Sequence, residues 1–166
     1  MSLRYRLELV PQTIQEMEAA AEERYFESEF LISTGCLSSG IYLAGYAAEM
    51  LLKCAYFILD GAKPDESILP RLGPSAKTGR ILLPAIPFEH GHNLRFWTAM
   101  IRIRRGRVRR WLPGIIDQQL IQRTRRLYQN WWIQMRYLRD IASEREVRTV
   151  LEDVSWIRHY YKDLWR

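Results

Sequence analysis

Glu49 and Lys53 lie four apart in the run Y-L-A-G-Y-A-A-E-M-L-L-K-C-A-Y-F, residues 42 to 57, the spacing at which side chains meet on one face of a helix. A carboxylate and an ammonium in so apolar a helix have to be paired, because an isolated buried charge loses more hydration than packing returns. Two kinds of chemistry stay open to them. Either Glu49 reaches an arginine across the bundle, Arg136, and sets helix register while Lys53 snorkels to water, or the pair forms one wall of a polar pocket, with His92 and Arg136, that holds a phosphate or a nucleotide.

A second set of charges is concentrated in a short strip. Arg102, Arg104, Arg105, Arg107, Arg109 and Arg110 follow Arg95 and are interleaved with Phe96, Trp97 and Trp111, and Arg123, Arg125 and Arg126 add a further patch. Arginines beside aromatic rings suit single-stranded nucleic acid, where guanidinium groups pair with phosphates and rings stack on bases. The same strip also fits a solvated face, or a surface meeting the acidic first helix of a partner subunit.

Nucleophilic and metal chemistry have little to stand on. Ser38, Ser39 and Ser143 fall at expected helix starts, where capping accounts for them, and there is no glycine-rich phosphate loop and no H-E-x-x-H. His90 and His92 are two apart with no third ligand beside them, so neither a metal nor a cofactor is expected. Cys36 and Cys54 form no C-x-x-C pair, which points to reduced thiols in a cytoplasmic protein.

The elements that must position these groups are helical. At 166 residues with 48% hydrophobic content, the chain fits one domain, 1–166, with enough apolar surface for a core. Ile14, Met17, Ala21, Tyr25, Ser28 and Ile32 recur at helical spacing after Pro11, predicting a first helix that ends at Thr34-Gly35. The second, capped by Ser38 or Ser39, runs to Asp60-Gly61 and is apolar nearly all round, which makes it the central helix. The uncharged run between Glu29 and Glu49 is broken by Ser33, Thr34, Gly35, Ser38, Ser39 and Gly40, so it reads as two helices and a turn and not as a membrane span.

Residues 61–91 carry five prolines and four glycines and are expected to form a long loop. A short helix begins near Asn93, and its end is open between helix and a small hairpin at Gly106. Ile116 through Ile141 predict a long amphipathic helix reaching Ala142. Ser143 with Glu146 then forms a capping box for a last helix with Val150, Val154, Ile157 and Tyr161 on its inner face. The fold class is all-α, an up-and-down bundle of four to five helices.

Three blocks in this order, Tyr42 through Glu49 with Leu52-Lys53, His92-Asn93-Leu94 after the Pro/Gly-rich segment, and Trp132-x-x-x-Arg136-Tyr137, resemble the HEPN domain family. The resemblance implies a HEPN-like bundle that forms a homodimer. It also implies work beside a small nucleotidyltransferase in a toxin–antitoxin or defence pair, with metal-independent RNA cleavage in many members. The cleaving members carry an arginine followed four to six residues later by a histidine. Here Ile141, Ala142 and Ser143 follow Arg136 at that distance. The expectation is therefore a non-catalytic binding module for a protein partner and for RNA, with His92 as the alternative base of a ribonuclease and Arg136 as its cation. The polar pocket, if formed, would join Glu49, Lys53, His92, Arg136 and Tyr137.

Net charge locates the partner-facing half. Up to residue 60 there are four basic against nine acidic residues, and beyond it 21 against ten, within a total of +6. Electrostatic recognition of a polyanion belongs to the second half.

Overall fold

The computed structural model describes residues 13–137 and 141–166. Its architecture is an all-α bundle. Among the described residues the elements run α1 (Ile14–Ser33), α2 (Leu37–Leu59), α3 (Leu69–Leu82), a 3-10 turn (Glu89–Gly91), α4 (Leu94–Arg107), α5 (Gly114–Asn130), a second 3-10 turn (Ile133–Tyr137) and α6 (Glu144–Tyr160).

Helix α2 is the hub, packed against α1, α4, α6 and the second 3-10 turn, while α5 closes the bundle against α4 and α6. Its length and apolarity would suffice to cross a membrane, but 72% of its most apolar window is buried inside the bundle, so the core accounts for that composition. Helix α1 starts at Thr13, whose hydroxyl accepts from the Glu16 amide while Glu16 Oε2 accepts from the Thr13 amide; both leave fewer orphan donors at the helix start. Its inner residues Ile14, Met17, Ala21, Tyr25 and Ser28 are buried, as their spacing predicts. Pro11 lies outside the described residues.

Helix α6 carries the predicted capping box of Ser143 and Glu146, and Val150, Val154 and Ile157 are fully buried, with Tyr161 just beyond the helix end.

Three expectations are corrected, and the open end of the helix that begins near Asn93 is decided. Residues 61–91 do not form one long loop, because Leu69–Leu82 is a helix with Pro70 in its first turn and Pro74 inside it. A proline in the first turn removes a donor that has no intrahelical partner anyway, whereas Pro74, inside the helix, costs one intrahelical hydrogen bond that the helix tolerates. Gly79 is a packing residue: a Cβ there would lie 2.0 Å from Phe96 Cζ, so its absence lets α3 lie against the α4 aromatics.

The arginine strip is helical to Arg107 and makes no hairpin. Asn93 drives it, its Oδ1 accepting from the amides of Arg95 and Phe96 at 3.0 and 3.3 Å.

The helix expected to reach Ala142 stops at Asn130. Trp131 takes an extended conformation, inserts its indole over Gly45, where a Cβ would come within 2.2 Å of the ring, and donates Nε1–H to the Tyr42 carbonyl at 2.9 Å. The helix thus gives up continuity for burial of a large aromatic and its polar edge.

Ser38 and Ser39 lie inside α2 rather than at its cap, which is Cys36 with no side-chain bond. Ser38 Oγ instead accepts from the Ile141 and Ala142 amides, both at 3.0 Å. It pins the entry to α6 onto α2.

Candidate functional site

Glu49 is 1% exposed, and both its oxygens are occupied. Lys53, one turn on, donates Nζ–H to Oε1. From the 3-10 turn before α4, His92 donates Nδ1–H to Oε2 at 3.0 Å. The turn delivers His92 through two left-handed residues, Glu89 at φ 48° and Gly91 at φ 91°. Trp97 holds the same turn by donating its indole N–H to the Gly91 carbonyl at 2.8 Å. The Tyr128 hydroxyl donates to Glu89 Oε1 at 2.6 Å, a bond that raises the phenol's pKa.

The structure therefore brings Glu49, Lys53 and His92 together, three of the five residues expected in the polar pocket. Lys53 does not snorkel: its side chain is 15% exposed and its ammonium is the carboxylate's own partner. Lys53 Nζ also stands 5.5 Å from the centre of the Trp97 ring, and the His92 ring stacks on Tyr46. Arg136 and Tyr137 belong to the second 3-10 turn, which packs against α2. Their side chains lie outside the described residues, as does that of His90.

A buried carboxylate fixed to Nδ1 leaves Nε2 as the remaining ring nitrogen of His92, the acceptor when the ring is neutral. The arrangement can orient a base, or it can hold the loop. Residues 43 apart in sequence make the Glu49–His92 contact, and no local spacing could have announced it.

The arginine strip divides in two. Arg102 pairs with Asp117 through Nε at 2.7 Å and Nη2 at 3.0 Å. Arg104 donates to the Leu59 carbonyl and lies 3.3 Å from Asp60 Oδ1. Arg105 is buried, with Nη1 donating to the Asp163 and Leu164 carbonyls at 3.0 and 2.8 Å and Nε donating to that of Arg110. Burial, and then the charge of Arg110, hold its pKa below the usual arginine value. These three tie α4 to α2, to α5 and to the C-terminal residues.

Arg107, Arg109 and Arg110 remain exposed. They adjoin Trp111, which is 73% exposed and stands at the edge of a cleft of about 530 Å³ shared with Arg107, Ile103 and Leu112. In the second patch Arg123 and Arg126 both bind Asp153, which is fully buried, so only Arg125 of the three is exposed.

Comparisons with family models, with curated proteins and with solved structures found no match to this chain.

Proposed function

We propose that this chain is a HEPN-like binding module that works as a homodimer and holds single-stranded RNA without cutting it, in the setting of a toxin–antitoxin or defence pair with a nucleotidyltransferase partner. The observation that supports RNA binding is the end of α4, where Arg107, Arg109 and Arg110 are exposed beside an exposed Trp111. Guanidinium groups on phosphates and an indole on a base are the two contacts that sequence-tolerant strand binding requires. The positions that follow Arg136 support the absence of cleavage: Ile141, Ala142 and Ser143 offer no base to take the 2′-hydroxyl proton.

One observation favours a second reading, a metal-independent ribonuclease. The Glu49 carboxylate orients His92 as a base would have to be oriented, and Arg136 would supply the cation for the phosphorane.

The test is labelled single-stranded RNA with purified protein in EDTA. Retarded, intact RNA whose retardation is lost in Arg109→Ala/Arg110→Ala is the expected result. Cleavage that His92→Ala abolishes would replace this proposal with the second reading.

A further inference from the structure

We propose that the outer face of α1 docks into the cleft at the end of α4 on a second copy of this chain, covering the arginines left free for a strand. This names the surface through which copies meet, and it rests on the homodimer part of the reading above and not on RNA binding.

The outer face of α1 is aromatic and acidic. Phe26 and Phe30 are 61% and 68% exposed and stand one turn apart, with exposed Glu23 and Glu27 on the same stripe. The helix carries six glutamates and a single arginine, Arg24, which is shared between Glu23 and Glu27. No basic residue in its last turn offsets the negative end of the helix dipole. Adjacent exposed rings rimmed by charge mark a face that meets another surface.

The cleft at the end of α4 has the opposite character. Its volume is about 530 Å³, and Leu83, Ala99, Ile103 and Leu112 line it together with Trp111. The Trp111 ring lies over Gly106, where an added Cβ would be 2.8 Å from Cη2. Arg107 stands in the lining, and Arg109 and Arg110 adjoin it in the chain. Among the described residues none of these three side chains makes an ion pair. Asp117, the carboxylate in the lining, is already held by Arg102.

The two surfaces complement each other. The apolar floor receives the phenyl rings, and the free guanidinium groups meet Glu23, Glu27 and the end of the helix. Aromatic anchors at the centre with arginine and carboxylate around them are the usual make-up of a protein interface. Charge sets the pairing, because two acidic α1 faces repel each other and so do two basic α4 ends. Each copy carries both halves, so a two-fold pair makes the contact twice. A strand and a second copy then compete for the same arginines.

Sedimentation velocity of the full chain across concentration and salt tests the contact. The wild type should associate at tens of micromolar, and added salt should weaken it. Phe26→Ser/Phe30→Ser, Glu23→Arg/Glu27→Arg and Arg107→Glu/Arg109→Glu should each weaken association by about tenfold or more. All six positions are exposed, and unchanged far-UV circular dichroism will show that the variants fold. Mixing the two charge-reversed variants should restore association, since each then offers the face the other needs, and a chain carrying all four reversals should associate with itself. Phe26→Ser/Phe30→Ser should leave RNA binding unchanged, and excess oligouridylate should drive the wild type to monomer. A dimer indifferent to the α1 or the α4 substitutions would overturn this contact and leave the homodimer reading standing; a monomer at all concentrations would overturn both. Mixed reversals that fold but stay apart, or RNA bound to an undissociated dimer, would also overturn the proposal.

Discussion

Removing Glu49 would strand two part-buried donors at once, Lys53 Nζ and His92 Nδ1, beside a carboxylate position that is itself 1% exposed. Breaking a buried pair costs more than the pair contributes, because the surviving partner keeps its desolvation penalty. Glu49→Ala should therefore lower stability by about 3 kcal/mol or more, measured by urea unfolding. A loss under about 0.5 kcal/mol, the range of ordinary surface substitutions, would mean that the carboxylate is solvated. The two thiols give a second residue-scale contrast. Cys54 is fully buried, and burial pushes its thiol far up from the usual range, whereas Cys36 is exposed. The thiolate is the nucleophile, so iodoacetamide at mildly alkaline pH should label one site per native chain, at Cys36, and two after denaturation. Labelling of both at equal rates in the native protein would contradict the burial of Cys54. Four-residue spacing put Glu49 and Lys53 on one helix face in the sequence, yet the reading gave Glu49 to Arg136 and let Lys53 snorkel; His92 was legible only as a neighbour of a motif, since its contact depends on how a distant turn folds back.

At the scale of elements, the reading succeeded where the cause was local to the segment and failed where it lay in a distant part of the chain or in a residue's position within its helix. Ser143 and Glu146 announced α6 because a capping box is a local device, formed by residues three apart. Proline and glycine misled in α3 because their effect depends on position: Pro70 is in the first turn, and Gly79 lies under Phe96. The break after Asn130 was invisible because its cause is the notch at Gly45, far away in the chain, that receives Trp131. Two opposing effects make Gly79→Ala informative. Alanine should gain about 1 kcal/mol in helix propensity, but overpacking costs about 1–3 kcal/mol when neighbours cannot shift. Phe96 is fully buried and held edge-to-face by Phe88 at 5.0 Å and Trp97 at 5.3 Å, so the clash should win and the melting temperature should fall. A rise would mean that α3 slides freely over α4. The α6 cap offers a pH test. The Glu146 carboxyl is held below the usual range by its bonds to Ser143, first the backbone amide and then the hydroxyl. A depressed carboxyl contributes stability that is present above its unfolded value and lost as pH falls through its folded value. Ser143→Ala should thus cost about 1 kcal/mol at neutral pH, and the gap from wild type should narrow as pH falls below the usual carboxylate range and Glu146 becomes protonated. A gap that is constant with pH would show the box contributing through the hydroxyl alone.

For the whole molecule, net charge misstates what a polyanion meets. Six arginines from Arg102 to Arg110 read alike in the sequence, but Arg102 and Arg104 are committed to Asp117 and Asp60, and Arg105 to backbone carbonyls near the C-terminus. Those acceptors come from other elements, so no inspection of the strip could separate the committed side chains from Arg107, Arg109 and Arg110. The distinction is measurable by salt. Each phosphate neutralised on a single strand contributes about −0.7 to the slope of log K against log salt, so three available arginines give a slope of about −2, whereas six would give about −4. Fluorescence anisotropy of a labelled RNA across a salt series should return the smaller magnitude, and Arg107→Ala/Arg109→Ala/Arg110→Ala should flatten it toward zero. Arg102→Ala should instead leave the slope unchanged and lower stability slightly, since it removes an exposed bidentate pair between α4 and α5. A wild-type slope near −4 would require the internal pairs to open when RNA binds, and the Arg102→Ala variant would then reduce the slope as much as Arg109→Ala does.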